Sequence, residues 1–159
     1  MLTDALRGAV AGAVATWVMD QVTTAMLKSQ PDEATRREEE ARPNGKSAIA
    51  NLVDRVESVT GFEADGKTRP RVESAVHYGL GIVPGALYGL LRRRVPLLGA
   101  GGGLVFGALL WALNDEWLNS QLGLSGPLDA YPAVTHWRGF VGHAVLGAMT
   151  ESTIELLGG

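Results

Sequence analysis

Three histidines and several acidic residues lie within or beside apolar segments of this chain, where side chains of these types can support chemistry. His136, His143 and Glu151 share one helical face with Gly139 and Gly147, because successive members lie three or four residues apart. Apolar segments that alternate in direction would bring further polar residues into the same half of a bundle. We therefore expect all three histidines and at least three carboxylates to converge near one side. The predicted polar cluster comprises Asp20, His77, Asn114, Asp115, Glu116, His136, His143 and Glu151.

Three kinds of chemistry fit such a cluster. Its members can hydrogen-bond between helices and fix the register of those helices. A proton or small-ion conductor would use Asp20, His143 and Glu151 along a hydrated path, because ionisable groups inside a membrane are usually functional. A zinc, iron or haem site would use His and carboxylate ligands, with Glu116, His136 and His143 as candidates. The chain has no H-E-x-x-H or E-x-x-H spacing, so the pattern identifies no particular metal or cofactor.

Motifs typical of enzymes are absent from the sequence. There is no nucleophile–base pair, and the glycine-rich run from Gly99 to Gly107 lacks the Gly-Lys-Ser/Thr of a phosphate-binding loop. We therefore predict no catalytic residues and no enzymatic activity. The net charge of −3 gives no support for nucleic-acid binding. The chain has no cysteine, which excludes disulfides and thiolate chemistry.

Two uncharged runs each carry three glycines at a spacing of four residues, which places the glycines of each run on one helical face. Glycine in a water-exposed helix costs about 1 kcal/mol relative to alanine. In a bilayer it lets two backbones pack closely. The pattern predicts a tight hairpin of two membrane-spanning helices, together with a tendency to self-associate. The predicted packing residues are Gly81, Gly85, Gly89, Gly99, Gly103 and Gly107.

The apolar segments predict an all-α, polytopic membrane protein, a single domain over 1–159 with a four-helix transmembrane bundle and a lipid bilayer around it. The predicted spans are about 8–27, 74–91, 96–118 and 134–157. The third is close to the ~20 residues that a span needs. Trp111 and Trp117 at its far end fit an interfacial aromatic belt. The mean hydropathy is only +0.09, because the polar connection 28–73 is averaged with the apolar segments.

The connection 28–73 separates the first two predicted spans. Asp32 to Arg42 carries charges of both signs and is interpreted as a solvated helix. After a turn at Pro43-Asn44-Gly45, Ser47 can cap an amphipathic helix that lies on the membrane or on the bundle. The apolar stripe of this helix is Ile49, Leu52, Val53, Val56 and Val59.

The last third of the chain resembles the YagU-like family of bacterial inner-membrane proteins. The resemblance lies in Leu122-Gly-Leu-Ser-Gly-Pro-Leu-Asp-Ala-Tyr-Pro132, followed about ten residues later by Gly142-His143. It implies a cytoplasmic N-terminus, a cytoplasmic Arg92–Arg94 cluster and a cytoplasmic C-terminus. Counting Lys and Arg alone would instead place the 28–73 connection in the cytoplasm. The resemblance also singles out His143 and implies a link to acid resistance.

Together these observations predict a small, multi-pass inner-membrane protein without catalytic activity. We expect a structural, accessory or stress-related role that includes acid tolerance, alone or with a membrane-complex partner. Histidine suits an acid-related role because its charge changes between about pH 5 and 8. A proton or small-ion conductor and a metal- or haem-binding membrane protein are the alternatives.

Overall fold

The structure, a computed structural model that describes residues 1–159, is entirely helical and contains no strand. The predicted all-α class is therefore confirmed. A π-helical segment, Trp111–Leu118, joins α5 to α6, so that residues 104–121 form one continuous rod. The α-helices are α1 Leu2–Lys28, α2 Asp32–Ala41, α3 Ala48–Thr60, α4 Arg69–Leu91, α5 Leu104–Leu110, α6 Asn119–Gln121 and α7 Ala133–Leu156.

Helix α1 is the central element of the bundle. It packs against α4 on one side and against α7 on the other, and α7 in turn packs against the rod 104–121. The helix order across the bundle is thus α4, α1, α7 and rod. The aromatic rings of Tyr88 on α4 and Phe106 on the rod stack with centroids 4.4 Å apart, which connects the two outer elements.

Glycines bring the backbones of α1 and α4 into direct contact. Gly8 lies against the Gly85 carbonyl and Gly12 against the Gly81 carbonyl, while Gly89 lies against the carbonyl of Asp4. A Cβ atom at Gly8, Gly12, Gly85 or Gly89 would collide with backbone atoms of the partner helix, and one at Gly81 would collide with the Thr16 hydroxyl. Absent side chains are what permit such close helix contact.

A second glycine contact joins the rod to α7. Gly103 and Gly147 each lie against the other's carbonyl oxygen, and Gly107 lies against the carbonyl of His143. The predicted hairpin, in which the two glycine stripes pack on each other, is therefore wrong. Each stripe instead packs on a helix that is distant in sequence, since α1 and α7 carry their own glycines.

The predicted span 96–118 begins too early. Pro96–Gly99 forms a 3₁₀ turn, and Gly101, Gly102 and Gly103 follow with positive φ angles of 66°, 67° and 89°. Such left-handed backbone cannot belong to an α-helix, so the rod starts at Leu104. Gly99 consequently lies in a turn near the Tyr88 hydroxyl, outside the helix–helix contact.

The polar connection packs on one end of the bundle. Helix α2 was expected to be solvated, but its Glu38 is only 4% exposed. In α3, Ser47 caps the helix by accepting from the Ala50 N–H at 3.2 Å. Of the predicted α3 stripe, Val53 is 1% exposed whereas Val59 is 81% exposed. Only the first part of the stripe therefore packs against the protein.

By length and hydropathy, one helix of the chain could cross a bilayer, namely Arg69–Leu91, which is α4. Helices α1 and α7 have comparable lengths of 27 and 24 residues but carry more charged and polar side chains. The rod is divided by its π segment.

We expect Gly85→Ala to destabilise the protein by about 2 kcal/mol, because overpacking at a rigid backbone contact cannot be relieved by a rotamer change. A Cβ at Gly85 would meet the carbonyl of Gly8 and the backbone of Gly12. Thermal or denaturant unfolding of the purified protein measures this loss.

Gly79→Ala is the matched control on the same helix. A Cβ there meets nothing within 4 Å, so we expect a gain of up to about 1 kcal/mol from helix propensity. Equal effects of the two substitutions would contradict the packing role of Gly85.

Candidate functional site

A polar cavity of about 390 Å³ lies between α3 and the ends of α1, α4, α7 and the rod. Its apolar part includes Met19, Leu80 and Leu146. A second cavity of about 310 Å³ adjoins it and shares part of its lining, including Asp115 and Arg138. The polar residues that line the first cavity are Ser47, His77, Asn114, Asp115, Asn119, Arg138 and His143.

All three histidines lie at this end of the bundle, and each contacts a carboxylate on another element. His77 Nε2 on α4 lies 2.7 Å from Asp20 Oδ1 on α1. His143 Nδ1 on α7 lies 3.5 Å from Asp115 Oδ2 on the rod. These two pairs cross the α1–α4 and rod–α7 contacts, which are the contacts made by the glycines.

The third pair joins His136 on α7 to Glu116 on the rod. His136 Nδ1 lies 2.8 Å from both carboxylate oxygens of Glu116. The other ring nitrogen, Nε2, lies 3.1 Å from the Leu128 carbonyl oxygen. A carbonyl can only accept, so Nε2 carries a hydrogen. Both ring nitrogens of His136 thus face acceptors. Both hydrogen bonds can form only when the pair of His136 and Glu116 carries a second proton besides the one on Nε2.

The π segment of the rod positions the carboxylates of this site. Asn114, Asp115 and Glu116 lie within it, and Asn114 Nδ2 donates to Asp115 Oδ1 at 2.9 Å. A π segment widens the helical turn, and such segments often occur at functional sites. Here successive side chains are directed to two different histidines, His143 and His136.

Glu151 does not belong to this cluster, contrary to the sequence-based prediction. Its Oε2 accepts from the Tyr88 hydroxyl at 2.5 Å, and its Oε1 lies 2.5 Å from Arg92 Nη1. Glu151 shares a face with His143 but lies two helical turns farther along α7, about 12 Å at 1.5 Å per residue. It therefore belongs to the opposite end of the bundle, and neither cavity reaches it.

The candidate metal ligands do not come together. Glu116 pairs with His136, whereas His143 lies against Asp115 and the Gly139 carbonyl. No group of three or more His, Cys, Asp and Glu side chains has a metal-binding arrangement. The predicted set of Glu116, His136 and His143 is therefore not a metal site in this structure.

Sequence reasoning missed a buried ionic network that attaches α2 to the start of α7. Both oxygens of Glu38 accept from Arg138 Nη2, at 2.8 and 2.9 Å. Arg42 Nη2 and Thr135 Oγ1 also donate to Glu38, each at 2.9 Å. Arg138 donates in addition to Gln30 Oε1. The only sequence signal for this network is a single arginine in an otherwise apolar segment.

Two opposing effects act on the pKa of Glu38. Burial raises it, but the hydrogen bonds from Arg138, Thr135 and Arg42 favour the carboxylate and outweigh burial. The pKa of Glu38 therefore lies below its ordinary value of 4.5. A lowered pKa means that the charged form stabilises the folded state.

The contribution of Glu38 should be complete above about pH 4.5 and should be lost as the pH falls through the lowered pKa. At neutral pH, Glu38→Gln leaves the Arg138 charge buried without its counter-charge and should cost about 3 kcal/mol. We expect the difference in unfolding free energy between wild type and variant to shrink as the solution is acidified.

Glu39→Gln is the matched control, because Glu39 is exposed on the same helix. It should change stability by less than about 0.5 kcal/mol. A constant difference between wild type and Glu38→Gln across the acid range would contradict the proposed charge dependence.

Comparison of the chain with protein-family models, with curated proteins and with solved structures finds no match. The role of the site is therefore argued from its own geometry. That geometry consists of two adjoining cavities at one end of a glycine-packed bundle, with three His–carboxylate pairs around them.

Proposed function

We propose that this chain is a small integral protein of a bacterial cytoplasmic membrane and that it acts in the response to acid without catalysing a reaction. In this proposal α1, α4, the rod and α7 cross the bilayer. The observation that carries the acid response is the concentration of three His–carboxylate pairs at one end of the bundle.

The distribution of side chains supports a lipid environment. Large apolar side chains on the outer surface are more than half exposed, among them Val10, Trp17, Val83, Leu113 and Trp137. The bundle interior instead consists largely of glycine, alanine and threonine. Small residues inside and large apolar residues outside are typical of membrane bundles, and soluble proteins rarely expose so much contiguous apolar surface.

The polar residues of α1 and α7 are compatible with this environment. Asp20 pairs with His77, Arg138 with Glu38, and His143 lies against Asp115, and none of these side chains is more than 33% exposed. A hydropathy average counts such residues as if they faced lipid. Paired and inward-facing groups are the form in which membrane helices tolerate charge.

Protonation of the histidines would reverse the charge at this end of the bundle. Four carboxylates face two guanidinium groups around the cavities, an excess of two negative charges when the imidazoles are neutral. Three imidazolium groups would convert this into an excess of one positive charge. Histidine is the side chain that ordinarily makes this change between about pH 5 and 8. The carboxylates are Asp20, Glu38, Asp115 and Glu116, and the guanidinium groups are those of Arg42 and Arg138.

The resemblance to the YagU-like family supports the same proposal and suggests the orientation. The loop 122–132 is attached to the polar connection through Asn51 Nδ2, which donates to the Leu124 carbonyl at 3.0 Å. In the proposed orientation this end faces outward, where acid first reaches the membrane. The Arg92–Arg94 turn then lies in the cytoplasm.

Single cysteines test the membrane spans, because the chain contains none of its own. In spheroplasts, a membrane-impermeant maleimide should label Lys67→Cys and should not label Arg93→Cys until the membrane is broken. Val83→Cys, at an exposed apolar position of α4, should stay unlabelled until the protein is denatured, because lipid excludes the reagent.

Lys67 and Arg93 are both exposed, so their labelling reports on sidedness rather than on burial within the protein. Labelling of Val83→Cys as fast as Lys67→Cys in intact membranes would contradict the proposed spans. Labelling of Arg93→Cys but not of Lys67→Cys in spheroplasts would show that the orientation is the reverse of the one proposed.

Ala48→Cys tests the acid response, because Ala48 lines both cavities. Acidification from about pH 7.5 to about pH 5.5 should speed the labelling of Ala48→Cys relative to that of Lys67→Cys. The reason is that positively charged histidines would repel the guanidinium groups of Arg138 and Arg42 and open the cavities. The ratio corrects for the pH dependence of the thiol reaction itself.

The comparison variant replaces His77, His136 and His143 together by glutamine in the Ala48→Cys background. Its labelling ratio should not respond to pH. A pH response of equal size in the triple variant would mean that the histidines are not responsible.

A further inference from the structure

A histidine side chain that lines the first cavity has one ring nitrogen without a hydrogen-bond partner in the protein. His143 is only 6% exposed, and its Nδ1 lies 3.0 Å from the Gly139 carbonyl oxygen. Because that oxygen can only accept, Nδ1 carries the hydrogen, and in the neutral ring Nε2 must be an acceptor. Nε2 makes no hydrogen bond within the protein, and His143 lines the cavity. Nε2 is therefore an acceptor that is accessible from the cavity and that a donor in the cavity can reach.

The carboxylate of Asp115 provides a second acceptor beside it. Asp115 Oδ2 lies 3.5 Å from His143 Nδ1, and Oδ1 accepts from Asn114. The side chain is 33% exposed, so part of the carboxylate is accessible from the cavity. Neither neighbour is a permanent cation, which leaves its negative charge uncompensated when His143 is neutral.

Arg138 also lines the cavity, but its charge is already compensated. Its guanidinium group donates to both Glu38 oxygens and to Gln30. An anionic ligand would have to compete with Glu38 for these donors. Beside Asp115 and His143 the groups that remain without a partner are acceptors, and the Asp115 charge favours a cation at that point of the cavity.

Three leucine side chains also line the cavity, namely Leu80, Leu146 and Leu52, the last on α3. A cavity of about 390 Å³ that combines polar groups with leucine side chains has the size of a small-molecule site. A strongly hydrated inorganic cation would gain nothing from the leucines.

We propose that this cavity binds a small amphiphilic amine. Its ammonium group donates to the Asp115 carboxylate and to His143 Nε2, and its hydrocarbon part packs against Leu80 and Leu146. The site depends on the cavity and not on the acid response, so the two proposals can fail separately.

Isothermal titration of the purified full-length protein in detergent, with detergent alone as the blank, tests the site. The probes are cyclohexylamine, cyclohexanol and cyclohexanecarboxylate, which share a ring but differ in charge. We expect the amine to bind at least about tenfold more tightly than the alcohol, because charge-assisted hydrogen bonds exceed neutral ones. The carboxylate should not bind.

Asp115→Asn should weaken binding of the amine by about tenfold or more, since it removes the charge with little change of shape. Glu39→Gln is the control, because Glu39 is exposed on α2 and lines neither of the two cavities. It should leave the affinity unchanged. On binding of the amine to the wild type, the ¹⁵N resonance of His143 Nε2 should shift.

Leu52→Trp provides a second variant if Asp115→Asn fails to fold. It fills the cavity from α3 without altering the polar groups and should abolish binding of the amine. Equal binding of all three probes, no binding of the amine, or full affinity in either variant would overturn the proposal. If water alone satisfies His143, none of the probes will bind.

Discussion

Direct contact between helix backbones at glycine is the constraint on which the rest of this structure depends. On the α1–α4 side, Gly8 meets Gly85 and Gly12 meets Gly81, and on the other side Gly103 meets Gly147. Each contact brings two antiparallel helices to van der Waals distance. Because α1 lies between α4 and α7, these contacts determine which polar side chains can meet across the bundle.

The His–carboxylate pairs lie farther along the same two antiparallel helix contacts. Along α1 and α4, the contacts of Gly8 with Gly85 and of Gly12 with Gly81 lead on to Asp20 with His77. On the rod and α7, the Gly107 contact with the His143 backbone precedes the approach of Asp115 to the His143 side chain. In a low-dielectric interior an unpaired polar group is costly. The glycine contacts bring each polar group to its partner, so close packing and polar pairing depend on the same alignment.

Part of this arrangement could be predicted from the sequence, and the rest could not for identifiable reasons. Periodicity predicts helices and the residues that share a face, and the three histidines do lie at one end. The spacing of glycines along one helix does not identify the helix that packs on that face. For this reason the sequence did not predict the contact of Gly85 with α1. Similarly, a helical face extends over many turns, so Glu151 could share the face of His143 without being near it. Glu38 lies in a highly charged segment, where nothing distinguishes one buried carboxylate from its exposed neighbours.

The two ends of the bundle differ in a way that restricts where function can occur. At the Glu151 end, Tyr88 is fully buried and its hydroxyl donates to Glu151, while Arg92 pairs with the other carboxylate oxygen. The Glu151 carboxylate thus lies between the Tyr88 hydroxyl and Arg92, and Glu151 lines neither of the two cavities. At the other end the histidine pairs surround open volume under α3. The open volume of the bundle interior therefore lies on the α3 side, and the last turn of α3, with Val59 81% exposed, packs least against the bundle.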